Sequence, residues 1–221
     1  MTLKKQWKSS KPNGSMTNKQ VAIFSYLDEL YPDAHCELNY SEDYELLIAV
    51  MLSAQTTDKA VNNVTAVLFN KYKTVEELAN AKLGDVEKII STIGMYKVKS
   101  KNVIGIANDL VNRFNSKVPH DKELLTSMPG VGNKTANCVL AELWNEPYLA
   151  VDTHMQRFAK RMGIAKPSDS VETMEKKYLR FIPRERIIKT NHQIIWFGRY
   201  SCKAISPKCE NCKLKEYCKN N

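Results

Sequence analysis

No apolar run in this 221-residue chain approaches the ~18 residues that a membrane-spanning helix needs, so a transmembrane protein is not expected. The basic N-terminus leads into polar residues without the apolar core of a secretory signal, which points to a cytoplasmic protein rather than a secreted one. Strict apolar–polar alternation is missing, as are repeats and low-complexity tracts, and this argues against sheet, solenoid and fibrous classes. A hydrophobic content of 43% over this length supplies one large or two modest cores, so no disulfide is needed for folding. Acidic residues are also scarce, with 24 Asp and Glu against 33 Lys and Arg, leaving a net charge of +9.

That excess is located at the two ends. Residues 1–19 hold five lysines and no acid, and residues 199–219 hold Arg199, Lys203, Lys208, Lys213, Lys215 and Lys219 against Glu210 and Glu216. Basic segments of this kind meet nucleic acid or an anionic membrane surface. For residues 1–16, a basic tail expected to be flexible, solubilisation is the plain alternative.

What is present is helical periodicity almost throughout. Val21, Phe24, Leu27 and Tyr31 share one face of a first helix ended by Pro32, and Leu47, Val50 and Met51 begin a second after the capping candidates Ser41 and Asp43. The polar break Leu52-Ser53-Ala54-Gln55-Thr56-Thr57-Asp58 recaps a helix bearing Val61, Val64, Val67 and Leu68. Thr74 with Glu77 forms a capping-box signature, and Val86, Ile89 and Ile90 follow. Gly94-Met95-Tyr96 reads as a turn before a longer helix marked by Val103, Ile106, Leu110, Val111 and Phe114. Further on, Asp152 stands where a helix through Met155, Phe158 and Ala159 begins, Asp169 with Glu172 caps another, and Ile187 to Phe197 supplies a last one. The fold class is all-α.

The stretch Met128-Pro129-Gly130-Val131-Gly132-Asn133-Lys134-Thr135 is a tight hairpin between two of these helices. Its glycines permit a sharp turn and close approach by another molecule, and Pro129 fixes φ. Asp121 caps the short helix before it, which carries Leu124 and Leu125; Ala136, Val139, Leu140, Leu143 and Trp144 follow helical spacing after it. The second helix thus aims unpaired N–H groups outward, a ready phosphate site, with Lys134 in its first turn. A nucleotide-binding P-loop is excluded, because that motif needs Gly immediately before Lys, after a strand, and here Asn133 intervenes.

Cys202, Cys209, Cys212 and Cys218 place four thiols within 17 residues. Clustered this closely in a cytosolic protein they read as metal ligands. One Cys-x-x-Cys knuckle with single cysteines on either side leans toward an iron–sulfur cluster, with zinc as the alternative. Cys36 and Cys138 lie apart, in helical context, as small buried hydrophobes.

The hairpin with Lys134, the segment Val151-Asp152-Thr153-His154 and the terminal Cys-x6-Cys-x2-Cys-x5-Cys occur in an order and spacing that resemble the endonuclease III family of helix-hairpin-helix DNA glycosylases, over roughly residues 17–218. The resemblance implies a two-domain all-α helix-hairpin-helix DNA glycosylase fold. Residues 36–147 would form a six-helix domain with the hairpin, and residues 17–35 with 148–221 a second helical domain holding a [4Fe-4S] cluster on the four cysteines. It also implies a monomeric base excision repair enzyme that removes oxidised pyrimidines from double-stranded DNA and nicks the strand as an abasic-site lyase. Lys134 would be the nucleophile and Asp152 the catalytic carboxylate. Gly130, Val131 and Gly132 would grip the backbone through amides, and Gln55 and Met95 would enter the duplex. The family more familiarly has Leu where Met95 stands, and core packing is the plain alternative for Met95. Lys203 and Lys208, around Ala204-Ile205-Ser206-Pro207, would present cations to phosphates. No membrane partner is implied.

A lysine that forms a Schiff base must be neutral, and at an ordinary pKa of about 10.4 roughly one lysine in 2,500 is neutral at pH 7. The helix dipole and partial burial in a cleft both act against the charge. A carboxylate stabilises positive charge developing on the sugar as the base leaves. By themselves, a first-turn lysine is an ordinary solvated residue and an aspartate before a helix an ordinary cap. Two other functions share some of these features. An adenine or mismatch glycosylase has the hairpin and cluster, but its adenine-specific members lack the hairpin lysine; a catalytically silent hairpin module would bind phosphates alone.

Overall fold

The structure is a computed structural model that describes residues 16–220; the basic tail assigned to residues 1–16 therefore lies outside the described residues except for Met16. Among the described residues there is no strand. Eleven α-helices follow one another: α1 (Asn18–Leu30), α2 (Asp43–Leu52), α3 (Asp58–Lys71), α4 (Val75–Ala79), α5 (Leu83–Ile90), α6 (Tyr96–Phe114), α7 (Lys122–Thr126), α8 (Asn133–Trp144), α9 (Thr153–Arg161), α10 (Val171–Phe181) and α11 (Ile187–Trp196).

Most starts are set by side-chain caps. Thr17, Thr57, Thr74, Asp121, Asp152 and Ser170 each accept a bond from a first-turn amide. Three expected caps are corrected. The cap of α2 is Glu42, in a capping box with Glu45, rather than Ser41 or Asp43. Ser170 caps α10, while Asp169 accepts from the Lys166 amide and the Lys177 ammonium, both at 2.6 Å. At Thr74 the expected box is displaced by one residue, because Glu77 bonds the amide of Lys73. Val21 and Val67 are exposed, so α1 turns Ile23, Phe24 and Leu27 inward and α3 turns Val61, Val64 and Leu68. Cys36 sits in an extended segment before α2, not in a helix, although both it and Cys138 pack against a core.

Contacts divide the chain into two units, residues 35–150 and residues 16–34 with 151–220. The first holds α2 to α8 around one apolar cluster, to which α2 contributes every residue from Leu46 to Leu52. α6 lays Val103, Ile106, Ala107 and Leu110 along that core, each fully buried. Burial of one such Ile or Leu contributes about 1.5–3 kcal/mol, which fixes the face that α6 turns inward. Gly105 brings α6 against the hairpin, since a Cβ there would stand 2.8 Å from Pro129 Cγ.

In the second unit, α1 packs with α11, and α9 with α10 and α11. The Tyr178 hydroxyl donates to the Met155 carbonyl at 2.6 Å, and Phe158 meets Phe197 edge-on. Asp28 on α1 receives Arg186, Lys189 and Gln193. The last apolar helix ends at Trp196 and continues as one π-helical turn, Phe197–Ser201, which delivers Cys202. No helix among the described residues is long and apolar enough to cross a membrane.

Candidate active site

The hairpin between α7 and α8 is held from inside its own unit. Met128 and Val131 are buried, and the Val131 amide donates to the Met128 carbonyl at 3.2 Å. Gly130 takes φ +75°, and a Cβ there would lie 2.3 Å from Asn102 Nδ2, so conformation and space both require glycine. Gly132 differs: a Cβ there would meet nothing within 4 Å. The Val131 amide is thus engaged inside the hairpin itself.

Gly132 is the N-cap of α8, with φ −92° and ψ 177°, and no side chain caps that start. The first-turn amides of Asn133, Lys134 and Thr135 are therefore open, and no acidic residue stands in the turn. Lys134 is exposed. The partial burial anticipated for it is not supplied by the protein's own packing.

Asp152 occupies the corresponding position on α9. Its Oδ1 accepts from the Met155 amide at 2.9 Å, which leaves Oδ2 outside that cap. His154, two residues on, is half-buried; burial lowers its pKa, Arg157 and Arg199 act in the same direction, and Asp152 opposes them. Arg157 Nη2 lies 3.0 Å from His154 Nδ1 and donates to the Gly198 carbonyl at 2.8 Å.

Gln55 and Met95 are both exposed and both in the left-handed region, at φ 55° and 58°. For a non-glycine residue that conformation costs roughly 1–2 kcal/mol, so two tips in one unit are held against local preference. Met95 is 53% exposed and is not a core residue. Sequence reasoning missed Lys99, which is 3% exposed and bonds the carbonyl of Ala54 and the hydroxyl of Thr56. Its signal was legible: positions 99, 103, 106 and 110 form one helical stripe, and a lysine on it is anomalous.

Cys202, Cys209, Cys212 and Cys218 all line one cavity of about 100 Å³, whose walls also include Arg161, Lys208 and Lys215. Among the described residues no three His, Cys, Asp or Glu side chains converge as a single ion would require. Burial raises the Cys212 thiol above its ordinary pKa, and the other three cysteines raise it further. Arg161 Nη1 donates to Cys202 Sγ at 3.0 Å, and Arg157 Nε to the Cys202 carbonyl at 2.9 Å. Both arginines escaped the sequence reading; their signal was a pair four residues apart beside the apolar face of α9. Lys203 and Lys208 are exposed in the loop that follows, which carries Ile205 at 84% exposure.

A family model described as HhH-GPD superfamily base excision DNA repair protein matches residues 48–184. A protein named Endonuclease III from Bacillus subtilis (strain 168) is 42% identical over 193 residues, which is 87% of this chain and 88% of that protein. Two solved structures superpose with a TM-score of 0.86 at 43% identity over 92% of this chain: a trapped Endonuclease III–DNA covalent intermediate, covered to 97%, and a non-covalent Endonuclease III–DNA complex, covered to 96%. With the hairpin, the following lysine and the four-cysteine tail in place, the chain belongs to the endonuclease III family of the HhH-GPD superfamily of base excision DNA repair proteins.

Proposed function

We propose that this chain is a bifunctional DNA glycosylase and abasic-site lyase that removes oxidised pyrimidines from duplex DNA. One observation carries this most: Lys134 stands exposed in the open first turn after the hairpin, in a chain 43% identical to a protein caught as a covalent intermediate with DNA. Phosphates would bind the amides of Gly130, Gly132 and the start of α8, with Lys203 and Lys208 adding sequence-independent attraction. Gln55 and Met95 would enter the duplex and fill the space left by the extruded base.

The neutral Lys134 amine attacks the sugar C1′, and the base departs with the electron pair of its glycosidic bond, taking a proton. The ring opens to an iminium between Nζ and C1′. Loss of a C2′ proton then expels the 3′ phosphate, which cleaves the strand 3′ to the lesion by β-elimination, and water releases the lysine. Asp152 Oδ2, outside the α9 cap, stabilises the positive charge on the sugar and accepts protons during elimination. DNA laid over Lys134 would supply the exclusion of water that the protein alone leaves to it.

We assign Cys202, Cys209, Cys212 and Cys218 to a [4Fe-4S] cluster. Four thiols around the wall of one cavity suit a cube with an iron at each of four corners, whereas zinc, at about 2.3 Å from every sulfur, draws its ligands to one point. Arg161, on the wall of the same cavity, already donates to Cys202 Sγ, one of the four sulfurs such a site would use. When bound, the cluster ties the C-terminal segment together. The chain is proposed to act as a monomer, in the cytoplasm on nucleoid DNA.

Borohydride reduces the iminium to a stable amine, so the protein mixed with a thymine glycol duplex should give a covalent band. Lys134→Gln should give none while binding the same duplex within about threefold of wild type. Trapping of that variant at the wild-type level overturns the lysine assignment. Purified protein should be yellow-brown and contain iron; a colourless preparation with stoichiometric zinc decides for the alternative.

A further inference from the structure

We propose that Lys99 is a positioning residue that locks Gln55 and Met95 into one rigid element for entry into the duplex; this rests on the insertion role proposed above. The two tips are separate in sequence, and each is held in a left-handed conformation that its residue type disfavours. The Lys99 side chain ties one of them to the helix that the other begins. Lys99 Nζ donates to the Ala54 carbonyl at 2.9 Å and to Thr56 Oγ1 at 2.8 Å, gripping the residues on either side of Gln55. Met95 is the N-cap of α6, one turn before Lys99, and the 3.0 Å bond from the Lys99 amide to the Met95 carbonyl is the ordinary helical one, so the side-chain bonds tether the Gln55 loop to the helix turn that Met95 begins.

Packing does not account for the charge. Lys99 lies on the buried stripe of α6 with Val103, Ile106 and Leu110, where a methionine of similar reach would fill the space without desolvating an ammonium. Burial lowers the pKa of Lys99, so the cation is held at a cost that its two side-chain bonds offset. What those bonds deliver is fixed spacing between two exposed side chains. Two tips that enter a base stack together lose less conformational freedom when they are already ordered.

Lys99 should therefore govern base extrusion and not phosphate binding. The test uses a thymine glycol duplex with 2-aminopurine beside the lesion, and a second duplex with a preformed abasic site, which has no base to extrude. In Lys99→Met the fluorescence rise on mixing should be largely lost. The ratio of base removal to abasic-site cleavage should fall about tenfold, as expected for loss of charge-assisted bonds that preorganise a transition state. Affinity for undamaged duplex should stay within about twofold, because phosphate contacts are untouched. Thr56→Val removes one of the two acceptors without emptying the stripe, and should lower the same ratio about threefold; it decides the matter alone if Lys99→Met does not fold. A wild-type ratio and fluorescence rise in the folded variants overturn the proposal. Gln55→Ala and Met95→Ala separate the two levels. If neither alters the fluorescence rise, insertion itself fails and the role of Lys99 fails with it; if they do and the Lys99 and Thr56 variants do not, only the role of Lys99 fails.

Discussion

α8 and α9 begin with the same backbone geometry and opposite chemistry. Gly132 and Asp152 are both extended N-caps, but glycine leaves the first-turn amides of α8 open, whereas the aspartate closes α9 with a 2.9 Å bond to the Met155 amide. Against a glycine in the same position a side-chain cap stabilises a helix by only about a few tenths of a kcal/mol, so the open start forgoes that amount in the free protein. A phosphate bound there would supply the missing acceptors, so instability at this end becomes affinity for an anion. At α9 the cap is satisfied internally by one oxygen, and the other lies outside the cap, where the proposed chemistry would use it. On the proposed function, the empty cap is the place that binds and the filled one the place that reacts.

The largest effect expected from this contrast comes from separating the two oxygens of Asp152. Asp152→Asn keeps a capping oxygen and removes the charge, so base removal should fall roughly a hundredfold with little change in melting temperature. Asp152→Ala loses the cap as well, and its melting temperature should drop by about 3 °C. Single-turnover rates beside thermal melts read both. A cleaving but less stable Asp152→Ala would make the residue a cap and nothing more.

A smaller effect should follow from making α8 resemble α9. Gly132 has a backbone compatible with a serine and open space at its Cβ position, so Gly132→Ser can install a cap without strain. Stability should rise by a few tenths of a kcal/mol while duplex affinity falls about fivefold, because the hydroxyl occupies an amide proposed to meet phosphate. Fluorescence anisotropy across a salt series measures this. Unchanged affinity would show that the α8 start does not carry the DNA.

Much of this architecture could be read from the sequence because helices announce themselves locally. The cap at Asp121, the hairpin glycines and the stripe on α6 all follow from spacing alone. Caps with near neighbours of similar chemistry were misassigned: Glu42 stands beside Ser41 and Asp43, and Ser170 beside Asp169, and a shift of one residue decides which begins the helix. Partners far apart in sequence were not legible at all. Nothing in the local pattern states that Lys99 bonds residues 54 and 56, or that Arg161 reaches Cys202. The π turn at Phe197–Ser201 was likewise invisible, because one extra residue per turn leaves no periodic trace.

The smallest expected effect sharpens the contrast through pH, since the first turn of α9 carries His154 and that of α8 carries no histidine. Guanidinium groups only donate, so the 3.0 Å approach of Arg157 Nη2 makes His154 Nδ1 an acceptor, and protonation there would break the bond. Burial, with Arg157 and Arg199, holds the folded imidazole below its ordinary value of 6.5. Between that lowered pKa and 6.5 the unfolded chain binds more protons than the folded one. Stability should therefore fall as pH drops through this window, flatten once both states are protonated, and owe nothing to this group above it. His154→Gln removes the titration, so its melting temperature should decline less steeply than that of wild type as the pH falls below 6.5. Parallel slopes for the two proteins would show that the charge state of His154 is not linked to the folding of this unit.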